Sequence, residues 1–253
     1  MPLDDTHNTI HVCHDLTTLG RAVAHRWLEI SAQAHAGSGQ FHVALSGGTT
    51  PRYLYEQLLS PAFSDKISWD TTHVYFGDER CVPPDHPDSN FRMANDALLQ
   101  HVPIPLNQIH RIEAENPKPE LCAAEYEKCL YEYLPSAHQG EKYFDLLLLG
   151  LGPDGHIASL FPNTEILQER ARLVAPVYVE KLQAWRISMT FAAIGLAHHI
   201  IILVAGDNKA DIIAQVLGRR LHMRKFPVEM INTPGKLEWY LDSAAAIHLP
   251  AGH

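Results

Sequence analysis

The sequence predicts an α/β fold on a mainly parallel, doubly wound sheet, and three observations support it. Apolar runs of strand length alternate along the chain with segments of helical periodicity. Two of those runs, within Asp145 to Gly150 (DLLLLG) and His199 to Ala205 (HIIILVA), lack polar alternation, as strands covered on both faces require. Polar or glycine-rich turns follow the strands, which puts candidate ligand groups at strand C-termini, where open α/β sheets bind. No internal repeat or long linker divides the chain, so residues 1–253 are expected to form one domain.

Taken in order, Asp15 reads as the N-cap of a helix to about His35, with Leu16, Leu19, Val23, Trp27 and Ile30 recurring at three- and four-residue steps. Phe41 to Leu45 reads as a strand and Ser46 to Thr50 as a turn. A helix should follow, with Pro51 at its first position and Leu54 and Leu58 on its buried stripe. Thr72 to Phe76 is a second strand that runs into the polar turn Gly77-Asp78-Glu79-Arg80, then a proline-rich loop and a helix from about Phe91 to Leu99. Residues 103–119 read as a surface connection. Leu121 to Leu134 is amphipathic, with Cys122, Tyr126, Cys129, Leu130 and Tyr133 on one side. Beyond the leucine strand, Arg186 to Phe191 and His199 to Ala205 are expected strands. Asp207 or Asn208 should cap a helix carrying Ile212, Ile213, Val216 and Leu217, and Ala244 to Leu249 reads as a last short strand.

Composition excludes several classes. With 20 Lys and Arg against 29 Asp and Glu the net charge is -9, which argues against nucleic-acid or membrane-surface partners and leaves any anionic ligand to a local positive site. The four cysteines form no CxxC pair, so reduced thiols in the cytoplasm are expected. Acidic residues stand in the first twelve positions where a secretory signal needs positive charge, and no stretch approaches the ~18 apolar residues of a membrane span. The 17 histidines are scattered without ligand spacing, so no metal is expected, and His198 and His199 read as structural.

The segment Asp145 to Pro162, DLLLLGLGPDGHIASLFP, carries the chemistry. A buried strand stops in glycines and delivers Asp154 and His156 together, and an unperturbed imidazole can serve as a general base near neutral pH. Ser46-Gly47-Gly48-Thr49-Thr50-Pro51 resembles a phosphate cradle, since glycines expose N–H groups and the helix N-terminus adds partial positive charge. By itself it is equally a plain turn, and it lacks the Walker spacing. Lys209 stands just after another strand, towards the same edge, and complements a phosphate's charge. Arg80, held by Asp78 or Glu79, offers a planar cation for an oxyanion or a phosphate, with a structural salt bridge as the competing reading. Asn90 and Arg186 are further candidates, for which structural roles compete.

At this point the chain resembles the 6-phosphogluconolactonases, within the glucosamine/galactosamine-6-phosphate isomerase superfamily. SGGTTP, GDER, SNFRMAN, GLGPDGHIASLFP, RISMTF and GDNKAD stand in the family's order from about residue 10 to 249, and GPDGHIASLFP is highly specific. Ile157 departs from the usual threonine. The resemblance implies a modified Rossmann-like single domain, no cofactor and no metal, and hydrolysis of the δ-lactone of 6-phosphogluconate in the oxidative pentose phosphate pathway. It implies His156 as the base that activates water, with Asp154 and Arg80 as catalytic partners. Ser46, Gly47, Gly48, Thr49, Lys209, Asp78, Asn90 and Arg186 would then bind the phosphorylated sugar lactone.

Two other readings compete. Glucosamine-6-phosphate deaminases share a GxDGHIA core but continue into a tail that carries a glutamate; here the tail is Ser159-Leu160-Phe161-Pro162. A non-catalytic sugar-phosphate sensor would carry a DNA-binding segment, which is not expected before Asp15, and would not need the Asp154 and His156 pair. Nothing in the sequence sets the oligomeric state.

Overall fold

The first helix begins as its cap dictates. In the computed structural model, which describes residues 8–136, 142–218 and 226–250, the Asp15 side chain accepts from Thr18 N at 2.7 Å while Thr18 Oγ1 accepts from Asp15 N at 3.0 Å. This reciprocal capping box starts α1 (Leu16–Gly37), which buries Leu19, Val23, Trp27 and Ile30. Residues 1–7, on which much of the expectation of no secretory signal rests, lie outside the described residues. Among the described residues no helix is long and apolar enough to cross a membrane.

Strands β1 (Asn8–Cys13), β2 (Phe41–Leu45), β3 (Thr72–Phe76), β5 (Phe144–Gly150), β8 (Ala197–Val204) and β9 (Lys236–Asp242) form a six-stranded sheet in the order β1-β9-β8-β5-β2-β3, every pairing parallel. Helices flank it: α1 packs along β1, β5 and β9, and α2 (Thr49–Leu58) against α1 and β5. From β2 the chain builds outward to β3; from β5 it builds the other way, to β8 and β9. The reversal lies between β2 and β5, and strand ends diverge there to leave a crevice.

A smaller antiparallel sheet holds β4 (Asp78–Arg80), β7 (Ala184–Met189) and β6 (Val174–Val179) in the order β4-β7-β6. Gly77 joins the two sheets: its N–H donates to Leu45 O at 2.9 Å, and its carbonyl accepts from Met189 N at 2.9 Å. Helices α3 (Asn90–Ala97), α4 (Pro119–Tyr133), α5 (Phe191–Ile194) and α6 (Ala210–Leu217) complete the fold.

Several expectations are corrected. Ala244 to Leu249 is a turn, and the last strand is β9, whose Glu238 is paired with Arg26 of α1 at 2.8 Å. Strands β1 and β6 lie beyond the elements that the sequence predicts. The polar turn Asp78 to Arg80 is itself a strand, because β7 supplies partners that local sequence does not show. Pro51 is the third residue of α2, and Phe191 opens α5 instead of ending β7. Neither Asp207 nor Asn208 makes a side-chain cap for α6. On α4 Cys122, Tyr126 and Leu130 are buried but Tyr133 is exposed, and residues 103–119 bury Ile104, His110, Ile112 and Ala114 under the sheet edge instead of lying wholly at the surface.

The leucines of β5 form the centre of one contiguous apolar cluster, Leu146, Leu147 and Leu148 being fully buried. Leu148→Ala should therefore lose about 2–5 kcal/mol of stability, from lost transfer energy and the cavity left behind. Urea denaturation measures it, and a loss well below 1 kcal/mol would contradict this packing.

Candidate active site

Where the parallel strands diverge, a cleft of about 430 Å³ opens, lined from the β2–α2 turn, β4, the start of α3, the loop after β5, the β6–β7 turn and the β8–α6 turn. His156, Arg80, Ser46, Gly47, Gly48, Thr49, Lys209, Asp78, Asn90 and Arg186 all line it. Asp154 stands behind His156.

The loop after β5 is shaped by its glycines. A Cβ on Gly152 would lie 1.9 Å from His156 Nδ1, so only glycine lets the imidazole fold back over the loop. Gly155 sits at φ 77°, and Ala158 is held at φ 46°, a conformation that an L side chain rarely adopts. His156 Nδ1 is 2.5 Å from Asp154 Oδ1, and its ring stacks on Phe161 with centroids 4.0 Å apart.

Burial raises the Asp154 carboxyl, but the hydrogen bonds from Lys181 and His156 outweigh it and hold the group down to about 2. An ionised carboxylate only accepts, so the shared proton belongs on His156 Nδ1 and Nε2 keeps its lone pair. Burial lowers the His156 pKa, and the Asp154 charge opposes that shift. The neutral imidazole is thus the resting form at neutral pH.

Glu79 is not the partner of the Arg80 guanidinium. Its buried carboxylate accepts from Ser89 Oγ and from the N–H groups of Arg80, Asn90 and Phe91 at 2.7 to 3.0 Å, which ties the start of α3 to β4. Burial pushes its pKa up and those N–H donors resist. Asn90 in turn donates from Nδ2 to Asp78 O and Oδ1, while Ser159 Oγ donates to Asp78 Oδ2 at 2.6 Å. Both oxygens of Asp78 are therefore engaged within the protein.

Arg80 is held by neither of the carboxylates expected to do so: its Nη1 donates to Asp88 O. Arg80 and Arg186 are register partners on β4 and β7, and the Nε of each is buried without a partner among the described residues. Two adjacent guanidiniums repel each other, and an anion in the cleft would relieve that cost. Lys209 Nζ, its pKa lowered by burial, donates to Leu151 O at 2.8 Å on another wall.

Ser46 is a staple more than a free donor. Its Oγ accepts from Gly150 N at 3.2 Å and its N–H donates to Tyr55 Oη at 2.9 Å. Beside it, Gly48 at φ 104° opens α2, whose first turn presents the unpaired N–H groups of a helix N-terminus. A Cβ on Gly47 would lie 1.9 Å from Asn90 Oδ1, so this cradle too is closed to any side chain. Ile157 is fully buried and does not line the cleft.

Sequence reasoning missed Lys181, which lines the cleft, donates to Asp154 Oδ2 and lies 4.5 Å from the Phe161 ring centre. The signal was a polar turn, EKLQ, between two alternating segments; with Val174 to Val179 not read as a strand, the hairpin was invisible.

Residues 14–239 match the family model described as glucosamine-6-phosphate isomerases/6-phosphogluconolactonase. A 6-phosphogluconolactonase of Nostoc sp. is 43% identical over 211 residues, 83% of this chain and 85% of that one. Another from Synechocystis sp. is 39% identical over 217 residues, 86% of this chain and 88% of that one. The solved 6-phosphogluconolactonase of Trypanosoma cruzi superposes with a TM-score of 0.84 at 27% identity, over 99% of each chain.

The Asp154 charge opposes the effect of burial on His156, so Asp154→Asn should lower the imidazole pKa still further. NMR titration of the ring protons reads this directly, and an upward shift would contradict the hydrogen-bond assignment.

Proposed function

The chain belongs to the glucosamine-6-phosphate isomerase/6-phosphogluconolactonase family and has the activity of a 6-phosphogluconolactonase in the pentose phosphate pathway, and we propose that His156 is its general base. The observation that carries this is the pairing of His156 Nδ1 with an ionised Asp154 inside a cleft walled by Arg80, Arg186 and Lys209.

In the proposed reaction His156 Nε2 takes a proton from water as its oxygen bonds to the lactone carbonyl carbon, whose π electrons move onto the carbonyl oxygen. Asp154 fixes the tautomer and supports the imidazolium. Arg80, presented beside Arg186, stabilises the charge on the tetrahedral oxygen. The intermediate collapses, the bond from carbonyl carbon to ring oxygen breaks, and the imidazolium returns its proton to that oxygen. The product is the open-chain 6-phosphogluconate.

Gly47, Gly48 and Thr49 at the α2 N-terminus, with Lys209, hold the distant phosphate and so fix the carbonyl's place. Ser46 shapes that cradle through Gly150, while Asp78 and Asn90 hold the wall that carries Arg80. The same reading takes residues 1–253 as one domain acting in the cytoplasm, supported by the contiguous core and by four free cysteines. The partner it implies is the phosphorylated lactone.

His156→Gln should lower turnover on 6-phosphogluconolactone by about 10²- to 10⁴-fold with unchanged circular dichroism. Near-normal turnover, after subtraction of spontaneous hydrolysis, would remove His156 as the base. Lys209→Ala should raise KM and weaken inhibition by 6-phosphogluconate with a smaller effect on kcat; an unchanged inhibition constant would take Lys209 out of the phosphate site.

A further inference from the structure

The β6–β7 hairpin brings a further charged side chain to the cleft. Its turn is tied down: Gln183 sits at φ 48°, its Nε2 donates to Glu180 O at 2.7 Å, and its Oε1 accepts from Tyr178 Oη at 3.2 Å. From this turn Lys181 crosses to the loop after β5 and donates to Asp154 Oδ2, while Oδ1 of the same carboxylate faces His156 Nδ1. Phe161 underlies both ends, with the imidazole stacked on its ring and the ammonium 4.5 Å from its centroid. The ring is nearly fully buried and therefore a fixed plate.

We propose that Lys181 is a positioning residue for the lactonase reaction: by gripping one oxygen of Asp154 it turns the other onto His156 Nδ1 and holds the imidazole with Nε2 presented to the cleft. This rests on His156 being the base. A carboxylate with a single donor can rotate and share either oxygen; one held at both oxygens cannot, and the ring it orients loses that freedom.

The arrangement also has an electrostatic consequence. His156 is faced by Asp154 on its own loop, Lys181 from the hairpin and Asp78 from β4, with Arg80, Arg186 and Lys209 around the same cleft. The Lys181 charge disfavours the imidazolium, whereas Asp154 and Asp78 favour it. Removing Lys181 leaves the carboxylates less opposed, so the imidazole must hold its proton to higher pH. The lysine side chain is about half exposed, so this component weakens as salt is raised.

The test compares Lys181→Met, Lys181→Arg and His156→Gln by kcat, KM and the pH profile of kcat/KM, with spontaneous hydrolysis subtracted. Lys181→Met should lower kcat about tenfold with KM little changed. The acid limb of its profile should move up by about half a pH unit, and more at low salt than at high salt. Lys181→Arg should restore most of both. A raised KM with unchanged kcat would make Lys181 a substrate contact. A loss of kcat with the acid limb unmoved would reduce it to a fold-supporting residue, and wild-type behaviour would remove it altogether; each overturns the proposal. Those outcomes leave the base assignment intact as long as His156→Gln is inactive, whereas an active His156→Gln overturns the base assignment itself.

Discussion

Everything in this molecule depends on the reversal of the parallel sheet between β2 and β5. Parallel strands end on the same side, and where the chain builds away from that point in both directions no crossover covers their ends. The exposed ends are stitched by Ser46 Oγ accepting from Gly150 N, which holds the α2 N-terminus against the loop that carries His156. That contact adds to the direct pairing of β2 with β5 in fixing the glycine turn before α2 relative to the His156 loop.

Around the reversal the fold spends polar groups in two ways. Buried carboxylates do structural work: Glu79 gathers the N-terminus of α3, and Asp78 is held by Asn90 and Ser159. Cations are left short of partners, the buried Arg80 and Arg186 Nε atoms having none among the described residues. Buried donors without partners are costly, and such cost is concentrated where a ligand relieves it. A chain of net charge -9 thereby carries a locally positive cleft, walled by Arg80, Arg186, Lys181 and Lys209.

Much of the candidate site was legible because its residues sit in contiguous motifs. The glycines of Gly150 to Gly155 announced a tight turn, and Gly152 is sterically required by His156. The uninterrupted leucines of β5 announced burial on both faces, and they are buried. Strand β9 is illegible in the sequence because Glu238 interrupts its apolar run, and the groups that pair with it, Arg26 and His199, lie far away along the chain. In the sequence β4 looks like a turn, because three polar residues carry no period of their own; β7 makes them a strand. Lys181 was missed for the same reason, since its meaning lies in Asp154 across the cleft.

The sequence by itself determined the α/β class, the buried parallel strands, and the residues of the β2, β3, β5 and β8 turns that meet in the cleft, because those depend on local periodicity and on glycines that only certain backbone conformations accept. The tertiary structure alone decided the partners. It gave Arg80 to Asp88 O instead of a carboxylate, turned Glu79 into a helix anchor, and brought Lys181 to Asp154. A polar side chain must satisfy its donors and charge against whatever the fold places within about 3 Å, and sequence distance does not limit that choice.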